Sequence, residues 1–123
     1  MAFFGDAVVR QEALYLSVVS IGELRRGVEL IRHRGDMQQA QLLGNWLSDV
    51  LDQYRNNILP FDIDAAQVWG RLRVPDAGHE IDKQIAAIAL INGLTVVTRN
   101  TADFAGTGVS VRNPFLDGRV SGN

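Results

Sequence analysis

A chain of 123 residues, 46% hydrophobic and 21% charged, fits one globular domain with a modest core. It has no cysteine, which removes disulfides, thiol catalysis and cysteine-bound zinc. A net charge of -2 speaks against a nucleic-acid coating protein, which would be basic, but not against an enzyme that meets phosphates through a bound cation.

Residues 1–9 hold an apolar patch without the basic start of a signal peptide, and 1–13 (MAFFGDAVVRQEA) read as a short helix or a frayed end. Residues 14–19 (LYLSVV) are β-rich and read as a strand. Ser20 reads as the N-cap of a helix, with Glu23 completing a capping box. Ile21, Leu24, Val28 and Ile31 form its apolar stripe, and Gly35 ends it. Asp36 caps a second helix running to about Arg55, whose wide apolar face includes Leu42, Leu43, Trp46, Leu47, Val50, Leu51 and Tyr54. The two helices form a hairpin pair. Arg25, Arg26, Arg32, His33 and Arg34 make either a solvated helix face or a contact for substrate or partner.

Residues 58–61 (ILPF) read as a short strand, with Pro60 pointing to an edge. Asp62 caps a helix bearing Ala65, Ala66, Val68, Trp69 and Leu72. After a loop at 74–79, the stretch EIDKQIAAIALINGLTVVTRNTADF (80–104) reads as helix, tight stop, buried strand and polar loop. Ile81, Ile85 and Ile88 recur at helical spacing, with alanines for close packing, and Asn92-Gly93 gives a left-handed stop. Residues 94–98 lack polar alternation, as a strand buried on both faces does. A last short strand lies at 109–111, Asn113-Pro114-Phe115 turn the chain, and 117–123 form a loose tail. There is no repeat, no linker and no run near the ~18 apolar residues of a membrane helix. Strands alternating with helices predict a single α/β domain over 1–123 with a mainly parallel sheet and right-handed connections. A cytoplasmic location is the default for such a chain.

Three acids are expected near the carboxyl edge of that sheet, where open α/β sheets bind ligands. They are Glu23 after the first strand, Asp82 in the first turn of the helix before the second long strand, and Asp103 in the loop beyond it. Clustered carboxylates repel unless a cation offsets them, and oxygen ligands suit Mg²⁺. Each acid also has an ordinary use: a capping box, a helix dipole, a solvated loop. Together with the loop Thr98-Arg99-Asn100 they favour a metal site. Thr98 and Asn100 could orient a metal-bound water or a scissile phosphate, or could satisfy loop backbone groups. His33 and His79 show no metal-ligand spacing and read as surface residues, while Trp46 and Trp69 read as core. Gly22–Val28 lacks the Lys-Ser/Thr ending of a phosphate-binding loop, and there is no GxSxG elbow.

SVVSIGELRRGVELI, ILPFDIDAAQVWGRL, IDKQIAAIALINGLTVVTRNTADF and GVSVRNPF strongly resemble the PIN-domain family, nearest its VapC or FitB-like toxin ribonucleases. The resemblance spans about residues 14–116, and its most specific part is D-x-x-IAA followed by TVVTRN-x-x-DF. It implies a three-layer α/β/α sandwich with acids around Mg²⁺ or Mn²⁺ and metal-activated cleavage of RNA. It also implies a cognate antitoxin as partner. The helix pair at 20–34 and 36–55 carries more apolar surface than one small sheet needs, which points to a homodimer or antitoxin-binding surface unless the helices bury their stripes on each other and the sheet. By motif, Glu23, Asp82 and Asp103 match the metal-site acids, Thr98 the polar position beside them and Asn100 the neighbouring loop amide.

The sequence departs from the family at its start, where a strand normally leads into Asp-Thr-Asn and its Asp binds metal. Asp6 is too close to Leu14 for a parallel crossover, which needs a dozen or more residues, and is not read as a replacement. The expectation is therefore a truncated toxin ribonuclease with weak or absent activity. The alternative is a catalytically defective remnant that binds antitoxin or dimerises. The central gap in the sheet should be repaired by pairing 14–19 directly with 94–98, by folding residues 1–9 into it, or by oligomerising.

Overall fold

The computed structural model describes residues 7–10 and 13–114, with side chains from Leu14 onward. Asp6 and the 117–123 tail, both given a place above, lie outside the described residues. The elements in chain order are β1 (Ala7–Arg10), β2 (Ala13–Ser17), α1 (Val18–His33), α2 (Met37–Gln53), β3 (Ile58–Leu59), α3 (Ile63–Leu72), α4 (Glu80–Asn92), β4 (Thr95–Val97) and β5 (Val111–Arg112). Single 3-10 turns stand at Arg55–Asn57 and Thr101–Phe104.

The five strands form one sheet in the order β3-β2-β1-β4-β5. The β2–β3 and β4–β5 pairs are parallel, and β1 is antiparallel to both its neighbours. Four strands therefore share one direction. The gap expected in the middle is filled by residues 7–10, and neither the helix nor the frayed end expected there is found among them. The reason is the unpaired ladder that β2 and β4 would otherwise present. Val8 pairs with Tyr15 on one side and Val96 on the other. Only residues 11 and 12 separate β1 from β2, so β1 must run antiparallel.

Side chains of β2 alternate between the two faces of the sheet. Leu14 and Leu16 meet Trp46, Val50 and Tyr54 of the α2 side. Tyr15 meets Ile85, Ala86 and Ala89 of α4 on the other. Helix α3 covers α4 from outside, through Ala65, Val68, Trp69 and Leu72 against Ala87 and Ile88. Helices α1 and α2 bury their stripes on each other through Leu24, Val28, Ile31, Ala40, Leu43 and Leu47, with Trp46 joining this cluster to the sheet. The result is the expected three-layer sandwich.

Caps explain most helix starts. Asp36 accepts from the Gln39 N–H at 3.1 Å and Asp62 from the Ala65 N–H at 2.9 Å. The start of α1 differs from expectation. Ser17 Oγ accepts from the Ser20 N–H at 2.9 Å, so the helix begins at Val18 and not after Ser20. Ser20 is buried, and its hydroxyl accepts from Ser17 Oγ at 2.9 Å. The Ser20–Glu23 capping box does not form, because the Ser20 N–H that the Glu23 carboxylate would accept from is already given to Ser17 Oγ. Gly35 (φ 92°) and Gly93 (φ 65°) end α1 and α4 in left-handed conformations that cost glycine nothing. Pro60 follows the edge strand β3, as its missing N–H requires.

The position of β1 can be tested through its backbone. Val8→Pro removes a ladder donor from the centre of the sheet, at a cost of about 1–3 kcal/mol, and should lower the thermal midpoint by roughly 4–15 °C. An unchanged midpoint in a calorimetric scan would mean that β1 is not paired there.

Candidate metal centre

The site is built at the first turn of α4, and the helix is aimed by its packing. Ile85, Ala86, Ala87, Ile88 and Ala89 are each at most 1% exposed. Alanine at three of these positions lets α3 and the sheet approach closely. At the N-terminal end, the Trp69 indole N–H donates to the Glu80 carbonyl at 3.2 Å. The Arg73 guanidinium lies over the Trp69 ring at 4.6 Å and its terminal nitrogen is 3.9 Å from the Glu80 carboxylate. Phe61 meets Trp69 edge to face, with centroids 5.8 Å apart. Trp69 is thus partly core, as expected, and partly a brace for the start of α4.

Because α4 turns into β4 through a single tight stop, its first turn lies over the carboxyl end of that strand. There the chain leaves the sheet through Thr98. This residue is fully buried, and its Oγ1 accepts from the Asn100 N–H at 3.0 Å. The Asn100 carbonyl accepts from the Asp103 N–H at 3.0 Å and so fixes the 3-10 turn that carries Asp103. Thr107 closes the loop, donating to the Phe104 carbonyl at 2.7 Å. Of the two uses weighed for Thr98, the loop-holding one is directly visible.

Asp82 and Asp103, from either side of β4, are brought together, and His79 joins them. One ligand atom from each of the three lies within 4.8 Å of the others. His79 Nδ1 is 3.8 Å from Asp82 Oδ2 and 3.9 Å from Asp103 Oδ1. The carboxylates are partly buried and the imidazole is more exposed. Glu23 is exposed in the second turn of α1 and lies outside this group. Asn100 is exposed at the head of the turn. His79 is a surface residue as expected, but it is also part of the cluster, which the sequence reading missed. The available signal was its i,i+3 spacing to Asp82 across a helix start.

A cleft of about 310 Å³ opens beside the group, bordered by His79, Lys83 and Asp103 with Leu72 and Val74. Lys83 is buried, and its ammonium donates to the Asp76 carbonyl, with Asp76 Oδ2 at 4.0 Å. That cation is therefore committed to the 74–78 loop. Two carboxylates and an imidazole nitrogen within one ion's reach suit a divalent cation. The Gly78 N–H bond first, then the Lys83 charge, holds the Asp76 carboxyl below its usual range. On α1, Arg25 and Arg32 pair with Glu29 at 3.3 and 3.0 Å, so these two are a solvated face.

Comparison with known proteins bears on the family and the fold. The PIN domain family matches residues 3–108. The chain belongs to the PIN-domain family. Relatives named VapC and FitB support its VapC/FitB-like group. Toxin FitB of Neisseria gonorrhoeae is 36% identical over 112 residues, covering 86% of this chain and 78% of that protein. VapC ribonuclease Y4jK of Sinorhizobium fredii is 34% identical over 111 residues, covering 85% and 76%. The crystal structure of FitAcB from Neisseria gonorrhoeae superposes with a TM-score of 0.72 at 34% identity, covering 82% of this PIN domain and 75% of that chain.

Asp76 gives a pH prediction. Its folded pKa is depressed, so its contribution to stability is present above the ordinary value of 3.8 and is lost as pH falls through the folded value. An NMR titration of the Asp76 carboxyl should have its midpoint below 3.8, and Lys83→Met should raise it only part of the way, because the Gly78 N–H is the larger cause. A midpoint that returns fully in that variant would contradict the ranking.

Proposed function

We propose that this PIN domain is a metal-dependent endoribonuclease, the toxin of a type II toxin–antitoxin pair acting in the cytoplasm. The observation that carries the reading is the convergence of Asp82 and Asp103 beside a cleft past the end of β4. Relatives named as a toxin and as a ribonuclease support it. Asp82 and Asp103 would hold the cation, Mg²⁺ or Mn²⁺, and Glu23 is kept as an outlying acid acting through water. When bound, the cation supplies Lewis-acid polarisation of the phosphoryl oxygen and a more acidic water. The residues of the chain do the rest. Thr98 holds the loop that presents Asp103, and the exposed Asn100 amide is offered to the RNA backbone. A net charge of -2 fits a protein that meets phosphate through a cation and not through a basic surface.

The test is cleavage of single-stranded RNA with Mn²⁺ or Mg²⁺ added back to chelated protein. Asp82→Asn and Asp103→Asn should each lower the rate about 100-fold or more, with Glu23→Gln smaller, while thermal midpoints stay within a few degrees. Undiminished cleavage in excess EDTA would refute the proposal. A folded protein that binds an antitoxin but cleaves nothing would favour the defective-module alternative instead.

The partners we propose are the cognate antitoxin and a second copy of the chain. Although α1 and α2 bury their stripes on each other, Leu30, Met37 and Leu42 remain 46%, 56% and 59% exposed. Apolar side chains left outward on a helix pair are the kind of surface that contacts a partner. Sedimentation at micromolar concentration should show a dimer, or antitoxin binding that Leu42→Glu weakens about tenfold or more. A monomer whose antitoxin affinity is indifferent to Leu30→Glu and Leu42→Glu would remove this pair from consideration.

A further inference from the structure

We infer that His79 is a nitrogen ligand of the site, through Nδ1, and that it tilts the site toward a transition-metal cation such as Mn²⁺ over Mg²⁺. The inference rests on the metal-site reading of Asp82 and Asp103 and adds a residue to it.

His79 occupies the N-cap of α4, a place where Ser, Thr, Asp or Asn usually accepts from the helix amides. It makes no side-chain cap. Its backbone is left-handed, with φ 55° and ψ 48°, the one non-glycine residue with positive φ among those described. That conformation is uncommon outside glycine, and costs of this kind gather at ligand-holding positions. The left-handed turn carries the imidazole over the helix start, to Asp82 one turn on and to Asp103 from beyond β4.

The distances fit an ion better than direct contact. At 3.8 and 3.9 Å, Nδ1 is too far from either carboxylate for a hydrogen bond. Ligands ~2.0–2.2 Å from one cation can be at most ~4.4 Å apart, and both separations lie within that span. The residue also lines the cleft, as Asp103 does. Carboxylates alone suit Mg²⁺ and Mn²⁺, whereas an imidazole adds affinity for transition ions and little for Mg²⁺.

The deciding measurement is pulsed EPR of the Mn²⁺-loaded protein. Directly bound imidazole should give a nitrogen modulation. The chain has two histidines, so the signal can be assigned. It should persist in His33→Gln and vanish in His79→Asn. Asparagine tolerates the left-handed conformation and is a good N-cap, so this variant should fold at least as well. By calorimetry, His79→Asn should weaken Mn²⁺ about tenfold and Mg²⁺ less than about threefold. Modulation that survives His79→Asn, or equal losses for the two ions, would overturn the inference. So would tighter binding of both ions, since that would make His79 a counter-charge to the acids. If Asp82→Asn and Asp103→Asn abolish Mn²⁺ binding while His79→Asn changes nothing, only the role of His79 fails. If the aspartates too are without effect, the metal site itself fails.

Discussion

The burial of α4 is the constraint on which the rest depends. Its alanine and isoleucine faces are enclosed by β4 and β2 on one side and α3 on the other. A helix held on so many sides cannot rotate or slide without opening voids, and closely packed interiors resist that strongly. The first turn of α4 is consequently a fixed platform. Asp82 inherits its position from the core packing of Ile85, Ala86 and Ala89. The Trp69–Arg73 brace pins the same end from outside, so loss of Trp69 would be felt in the placement of Asp82 as well as in the core.

The second requirement is that the sheet be continuous beneath that helix. Strand β4 carries the loop with Asp103 and can do so only if its backbone groups are paired on both sides. Strand β5 provides one partner and β1 the other. The hairpin of β1 and β2 thus serves the site indirectly. It completes the central ladder with a strand running against the other four, the one direction open to a segment two residues from its neighbour. The carboxyl edge keeps its geometry because β1 contributes pairing and no reversal of β4.

Around this frame the charges are sorted. Lys83, next to Asp82 in sequence, points to the opposite task, tying the 74–78 loop through the Asp76 carbonyl. Its neighbour Asp82 faces Asp103 and His79. Two adjacent residues on a helix point about 100° apart, and that angle keeps the lysine's ammonium out of the acid pair.

Much of this was legible in the chain. Caps at Asp36 and Asp62, stops at Gly35 and Gly93, the apolar run of β4 and the alanine-rich face of α4 are local patterns. Each depends on residues a few positions apart, and together they imply an α/β fold with Asp82 and Asp103 near one edge. Where the pattern misled, the deciding interaction was a competition or a long-range contact. Ser17 and Ser20 are both able to cap, and only the seating of β2 in the sheet selects Ser17, which removes Glu23 from a capping box. The strand at Ala7–Arg10 has little local signal, and it exists because two distant strands need a partner between them. His79 stood three residues from Asp82 in plain view, but its side-chain direction follows from a left-handed backbone and from Asp103, twenty-four positions on, coming back beside it. Such proximity is set by the packing of α4 on β4, and no periodicity in the chain records it.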